Sequence, residues 1–232
     1  MSKKKQVSRS NETLSEKAYH AIRNDILRGY VAEGTFLSEA DVCERHSVGR
    51  TPFREACNRL HHEGILEVVP RRGYLVREMS FRDVRDMFEV RVILEGATAE
   101  LAAQRATEAQ IDELEALART EFTGATANEQ YERISQVNTE FHLVLARMSQ
   151  NRELSRLVGH ALDKSERLAY MELRSGRWHS KDIQSIHRAI VDAVRRHDPA
   201  ASRDAVVYDI CQGQIDIFGP GTAAEHAGKA KA

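Results

Sequence analysis

Four polar side chains fall where a helix would place apolar ones. Asn138 and His142 are four residues apart in "NTEFHLVLA", with Phe141 and Leu145 beside them, so a helix carries both on the side of its apolar stripe. His187 falls among Ile183, Ile190 and Val194 at helical spacing, and Asp209 follows Val206 by three residues and adjoins Ile210. A carboxylate, two imidazoles and an amide are costly to bury unless they bind one another or an ion. On residue types alone two readings stay open: a metal-free hydrogen-bonded network, or a shared divalent cation. Two imidazoles with an oxygen donor suit Zn, Ni, Mn or Fe.

A second constellation lies in "VGRTPFREACNRLHHEG", from Val48 to Gly64. Phe53, Ala56, Cys57 and Leu60 recur at i, i+3, i+4 and i+7, so they form a stripe that must pack inward. Arg50 and Arg54, four apart, then project together from the N-terminal half on another face. A recognition helix carries its base-reading side chains there, and the planar arginine fork can donate two hydrogen bonds to guanine O6 and N7. Thr51, with its hydroxyl and the helix N-terminal N–H groups, suits a phosphate. The alternative is a solvated face on which Arg54 pairs with a carboxylate such as Glu39 or Asp41.

The elements that must position these groups are marked by their ends. Thr13 and Glu16 form a capping box, and Tyr19, Ile22 and Ile26 share a face until Gly29. Ser38 can cap a second short helix that runs to about Arg45, and "HSVG" makes a turn. For the third helix Thr51 is the expected N-cap, Pro52 the first helical residue and Gly64 the stop. "ILEVV" and "GYLVR", separated by "PRRG", read as a hairpin with Arg71 and Arg72 at its tip. Three helices followed by a hairpin is the order of a winged helix-turn-helix. From Ser80 onward only helices are expected, over 81–104, 108–120, 127–148, 152–172, 181–196 and 199–217, with starts at Thr107 and at Asp198 before Pro199. Six helices in that length make a bundle.

The bulk properties agree with two modules. At 232 residues and 41% hydrophobic, the chain suits one large domain or two small ones with a real core. Residues 1–77 hold 14 Lys and Arg against 10 Asp and Glu, whereas residues 78–232 hold 20 against 25. A basic module that meets a polyanion is thus joined to an acidic one that does not. No apolar run approaches a membrane span or a signal peptide, so the cytoplasm is the expected compartment. Cys43, Cys57 and Cys211 are widely spaced and form no C-x-x-C pair, which supports neither a disulfide framework nor a zinc cluster, and they read as small core residues.

The stretch "GTFLSEADVCERHSVGRTPFREACNRLHHEGILEVVPRRGYLV" resembles the N-terminal domain of GntR-type bacterial transcription regulators. By that resemblance Arg50 and Arg54 would read guanines, Thr51 would hold a phosphate, and Arg72 with Gly73 would form the wing that enters the minor groove. Ala40 stands where many relatives place an arginine, and Gly49 where Ser or Thr is usual. "FRDVRDMFEVRVILEGATAELAA", "NTEFHLVLARMSQNREL" and "SIHRAI" resemble the all-helical FCD domain of the fatty-acid-regulator branch, and six helices rather than seven resemble its vanillate-regulator-like subdivision. In metal-binding FCD domains D-x-x-x-H and two later histidines converge on one ion. The matching set here is Asn138, His142, His187 and Asp209, with the first aspartate replaced by asparagine and the last histidine by aspartate. Arg91 resembles the family arginine that faces the effector cavity, where with Arg167 it would bind a carboxylate bidentately or else make a structural ion pair.

The resemblance implies a mostly α chain: a basic arm over 1–11, a winged helix-turn-helix over 12–78, a helical effector-binding and dimerisation domain over 79–218, and a polar tail over 219–232. It implies a homodimeric regulator, commonly a repressor, that binds a double-stranded inverted repeat and a small organic acid, with a divalent metal helping to hold the acid. A metal-dependent enzyme using His142, His187 and Asp209 is the rival reading, and no general base stands out beside that site. A regulator that binds its effector without metal is another.

Overall fold

A capping box starts the first helix: the Thr13 hydroxyl accepts from the Glu16 N–H, and the Glu16 carboxylate accepts from the Thr13 N–H at 2.8 Å. This computed structural model describes residues 13–122, 126–175 and 183–218, so the expected arm and tail lie outside the described residues. Within them the chain divides into two compact units between Met79 and Ser80.

The first unit contains α1 (Leu14–Leu27), α2 (Glu39–His46), α3 (Arg50–His62), β1 (Leu66–Val69) and β2 (Gly73–Val76). The two strands are antiparallel and pair Leu66 with Val76 and Val69 with Gly73, and Phe36 adds an isolated bridge to Leu75. The core takes Ala18, Tyr19, Ile22 and Ile26 from α1, Val42 from α2, Phe53, Ala56, Cys57 and Leu60 from α3, and Leu66 and Val76 from the hairpin. Because that stripe of α3 is buried, its other face is committed outward. The turn into α3 is made by Ser47, whose φ of +53° is left-handed. Gly64 ends α3 at φ +75°, a conformation that only a residue without Cβ adopts freely.

One boundary differs from the sequence expectation. Gly49, not Thr51, is the N-cap of α3, and it contributes no side-chain hydrogen bond. Arg50 and Thr51 therefore occupy the first two helical positions, and Pro52 the third. A glycine N-cap costs only a few tenths of a kcal/mol relative to Ser, so the turn geometry prevails over the stronger Thr51 signal.

The second unit contains α4 (Phe81–Arg105), α5 (Glu108–Ala118), α6 (Ala127–Met148), α7 (Arg152–Ser175), α8 (Ile183–Arg195) and α9 (Pro199–Phe218). Ser80, Thr107 and Thr126 each form a capping box, and the Asp198 carboxylate accepts from the Ala201 N–H at 3.0 Å at the start of α9. Helix α4 packs against α6, α7, α8 and α9. Its alanines 99, 102 and 103 are fully buried, and a Cβ added at Gly96 would meet the Arg203 side chain at 3.4 Å, so small residues let α9 approach closely. The fold is thus mostly helical, a winged helix-turn-helix followed by a six-helix bundle among the described residues. None of those helices is long and apolar enough to cross a membrane.

Ser202 on α9 is completely buried, and its hydroxyl has no hydrogen-bond partner among the described residues. Ser202→Ala should therefore raise stability by about 1 kcal/mol, since it deletes an unsatisfied polar group without opening a large cavity. Thermal or urea unfolding checks this, and a destabilised variant would mean that the hydroxyl is bonded in solution.

Candidate functional site

The outward face of α3 carries the first group. The Arg50 and Arg54 side chains are 83% and 63% exposed, and Thr51 is exposed beside them. Both guanidinium groups approach Glu39, the first residue of α2: Arg50 Nε lies 3.4 Å from Oε1, and Arg54 Nε lies 3.3 Å from Oε2. The pairing of Arg54 with Glu39 that the sequence left open therefore exists, and it leaves both arginine side chains in solvent. Gly49 supplies no capping side chain, so the first N–H groups of α3 have no side-chain cap.

At the hairpin, the Arg72 guanidinium carbon lies 4.2 Å from the centroid of the Phe36 ring, which fixes that arginine by a cation–π contact. Arg71 is exposed at the tip with φ +63°, and Gly73 at φ +103° has open space where a Cβ would be. The wing thus presents two arginines in different states, one stacked and one extended into solvent.

The second group lies within the bundle, and four helices supply it. His142 from α6 is buried between two carboxylates: Nε2 is 3.0 Å from Asp209 Oδ2 on α9, and Nδ1 is 2.6 Å from Glu95 Oε2 on α4. The contact to Glu95 is close but poorly directed, for neither atom makes a hydrogen bond of good geometry. Arg91, one turn before Glu95, donates from Nε to Glu95 Oε1 at 2.6 Å. His187 on α8 stacks on Phe141 with ring centroids 3.8 Å apart, and its Nε2 is 3.1 Å from Asn138 Oδ1 and 4.0 Å from Asp209 Oδ2. Asn138, His142, His187, Asp209 and Arg91 are therefore brought together, while the Arg167 side chain lies outside the described residues.

Glu95 is the participant that spacing alone does not reveal. It follows Arg91 by four residues, the signal of a helical ion pair, but its contact with His142 comes from another helix.

Charge in the cluster is balanced by proximity. Burial works against a charged His142, but Glu95 and Asp209 overcome it and raise that imidazole to about 9. Burial would raise Glu95, yet Arg91 and His142 lower it to about 2; burial likewise opposes the charged Asp209, which His142 holds below the usual carboxylate range. Burial lowers His187 to about 4, helped by the charge on His142, so His187 is neutral. Arg91 and His142 as cations thus face Glu95 and Asp209 as anions.

The same donors could hold an ion. One ligand atom each from His142, His187 and Asp209 lie within 4.8 Å of one another, so modest side-chain shifts would bring all three to about 2.0–2.2 Å from one metal. Glu95 against His142 Nδ1 is the outer carboxylate that commonly orients a ligating histidine, and Asn138 Oδ1 is a further oxygen donor.

Residues 14–76 match the model of the bacterial regulatory proteins of the gntR family, and residues 86–210 match the FCD domain. The Nta operon transcriptional regulator of Aminobacter aminovorans is 30% identical over 171 residues, which is 73% of this chain and 79% of that one. The HTH-type transcriptional regulator YdhC of Bacillus subtilis is 27% identical over 190 residues, 82% of this chain and 84% of that one. In fold, E. coli McbR/YncC superposes with a TM-score of 0.72 at 19% identity, covering 89% of this chain and 97% of its own. A GntR regulator from Rhodococcus superposes with a TM-score of 0.70 at 20% identity, covering 88% and 97%.

In protein stripped of metal by a chelator, the two imidazoles link stability to pH with opposite signs. His142 keeps a proton in the folded state that the unfolded chain loses near 6.5, so its stabilisation is complete below 6.5 and is lost as pH rises through about 9. His187 refuses in the folded state a proton that the unfolded chain accepts, so stability falls as pH drops from 6.5 toward about 4. The melting temperature should peak near pH 6.5 and decline on both sides. A melting temperature that stays level up to pH 9 would show that His142 is not the buried cation.

Proposed function

The chain belongs to the gntR family of bacterial regulatory proteins, in the branch that carries an FCD domain, and from that membership we propose that it is a regulator whose operator affinity is set by a small organic acid bound in the bundle with a divalent metal. Like the members of that family, it is a DNA-binding transcription regulator and not an enzyme.

For DNA, the reading places Arg50 and Arg54 on guanines, Thr51 on a phosphate and the wing around Arg72 and Gly73 in the minor groove. What supports it is the exposure of two guanidinium groups at the N-terminal end of α3, the end that enters the major groove most deeply in helix-turn-helix complexes. A two-fold inverted repeat is the matching operator, because a homodimer presents two such helices related by symmetry. Val90 and Ile93, three apart on α4, are large apolar side chains left exposed, and a second copy would cover them. The cytoplasm, where the DNA is, is the corresponding compartment.

For the bundle, the observation that carries the reading is the convergence of Asn138, His142, His187 and Asp209 beside the Arg91–Glu95 pair. Zn, Ni, Mn or Fe would suit the two imidazoles and the carboxylate, and would supply Lewis acidity toward a ligand oxygen. Exchanging the His142 proton for a dication takes the cluster from balance to one net positive charge, which one ligand carboxylate cancels. Arg91, and Arg167 if it reaches the same cavity, would add the cationic fork that such a carboxylate prefers. The acid changes operator affinity only to the extent that it binds one arrangement of the DNA-binding units more tightly than another.

Two outcomes test the two halves. Zn should raise the melting temperature of the chelated protein and make it respond to small carboxylic acids, and His187→Ala should lose both responses. If parent and variant respond to acids equally in chelator, the effector binds without metal. Separately, Arg54→Ala should weaken binding to a duplex selected by the parent protein by about 1 to 3 kcal/mol and relax base preference at one position per half-site. Undiminished affinity in that titration removes Arg54 from the reading surface.

A further inference from the structure

Glu39 puts a negative charge into the surface that must meet a polyanion, and helix capping does not account for it. The N-terminus of α2 is already capped by Ser38, whose hydroxyl accepts from the Asp41 N–H at 3.2 Å, and although Glu39 lies in the first turn, Asp41 supplies a second carboxylate there for the helix dipole. Yet the Glu39 side chain is only 33% exposed, because it sits against the two arginines of α3, one carboxylate oxygen to each Nε.

We propose that Glu39 is a specificity-determining residue, which holds the Arg50 and Arg54 forks in register and keeps the α3 surface from binding DNA indiscriminately. This rests on the reading of α3 as the recognition helix. The chemistry of the guanidinium group makes it workable. Nε carries one of the five N–H donors, so a carboxylate that takes Nε leaves the two Nη groups to reach guanine O6 and N7. Long, exposed arginine side chains otherwise lose rotamer freedom when they bind; the hydrogen bond from Arg54 Nε to Glu39 Oε2 and the ion pair of Arg50 with Oε1 remove part of that loss beforehand. The charge acts in the opposite direction on phosphate. Two arginines with one shared carboxylate present one net positive charge in place of two, so contacts to the backbone, which carry no sequence information, weaken relative to contacts with bases. The carboxylate itself can only accept hydrogen bonds, and the base-edge donors in the major groove are cytosine N4 and adenine N6.

The test compares full-length parent, E39Q and E39A. The parent first selects its preferred sequence from a pool of random duplexes, and each protein is then titrated with that duplex and with a scrambled one across a range of salt. E39A should bind the scrambled duplex several-fold more tightly, with a salt dependence steeper by about 0.9 per subunit, because a further phosphate contact is no longer opposed. Its preference for the selected duplex should fall about tenfold, the scale of one weakened bidentate base contact. E39Q, which loses the charge but keeps an acceptor, should show the steeper salt dependence with a smaller loss of preference. The proposal is overturned if both duplexes weaken equally with an unchanged salt slope and a lower melting temperature, the signature of a lost helix terminus, or if nothing changes. A parent protein that enriches no sequence at all would instead remove the recognition-helix reading on which the proposal stands.

Discussion

A helix packed on several sides has to neutralise its own charges within the protein, and α4 does so through Glu95. That carboxylate takes Arg91 on one side and His142 on the other, while His142 reaches on to Asp209. Removing any one member would leave a buried charge without its counterpart, which is far more costly than the pair was favourable. The residues around it are constrained in turn. Gly96 lies against Arg203 and Val207 of α9, the helix that brings Asp209 to the cluster, and Phe141 holds the His187 ring flat beside it. The bundle is therefore built around a polar centre that is electrically balanced and responsive to any group that changes one of its charges.

The same pair of residue types serves the first unit under different physics. Glu39 with Arg50 and Arg54 lies at the surface, where water screens the attraction and such pairs contribute about 0–1 kcal/mol. Its value there is directional, since it restricts where two flexible side chains point. Glu95 with Arg91 is buried, where the interaction fixes protonation states as well as positions. A third carboxylate, Asp25 on α1, accepts from Arg45 and His46 at the end of α2 and so ties the helix before the turn to the helix behind it. Each carboxylate joins elements that the apolar stripes alone would leave free to slide.

Much of this was legible in the chain. Capping residues with glycine and proline punctuation locate the helices, and the placement of Asn138, His142, His187 and Asp209 on apolar faces points to their convergence, because periodicity reports which way a side chain turns. What escaped were relations across elements. Glu95 is indistinguishable by spacing from an ordinary helical ion-pair partner of Arg91, and nothing local announces that His142 lies opposite it. His46 has no partner within reach in sequence, since Asp25 belongs to another helix. The start of α3 differs from the sequence expectation for a related reason: Thr51 and Pro52 carry strong local signals, but the left-handed residue Ser47 sets the turn and makes Gly49 the cap. Local propensity thus yields to the requirement that Phe53, Ala56, Cys57 and Leu60 all reach the core.

The balance of charge in the bundle bears on how a ligand could be sensed at all. An apolar pocket would respond to size and shape, and its occupant would shift the surrounding helices by sterics alone. Here α4, α6 and α9 are joined by ionic contacts to Glu95 and Asp209 whose strength depends on the protonation of one imidazole, His142. A ligand that alters that protonation changes several inter-helix attractions together, each made in a low-dielectric interior where a unit charge acts strongly. On the proposed reading such a site would convert a chemical event at a few atoms into a change of preferred helix packing, with the energy available bounded by the difference in ligand affinity between the two packings. A neutral ligand of the same size, which leaves the His142 proton in place, lacks that lever.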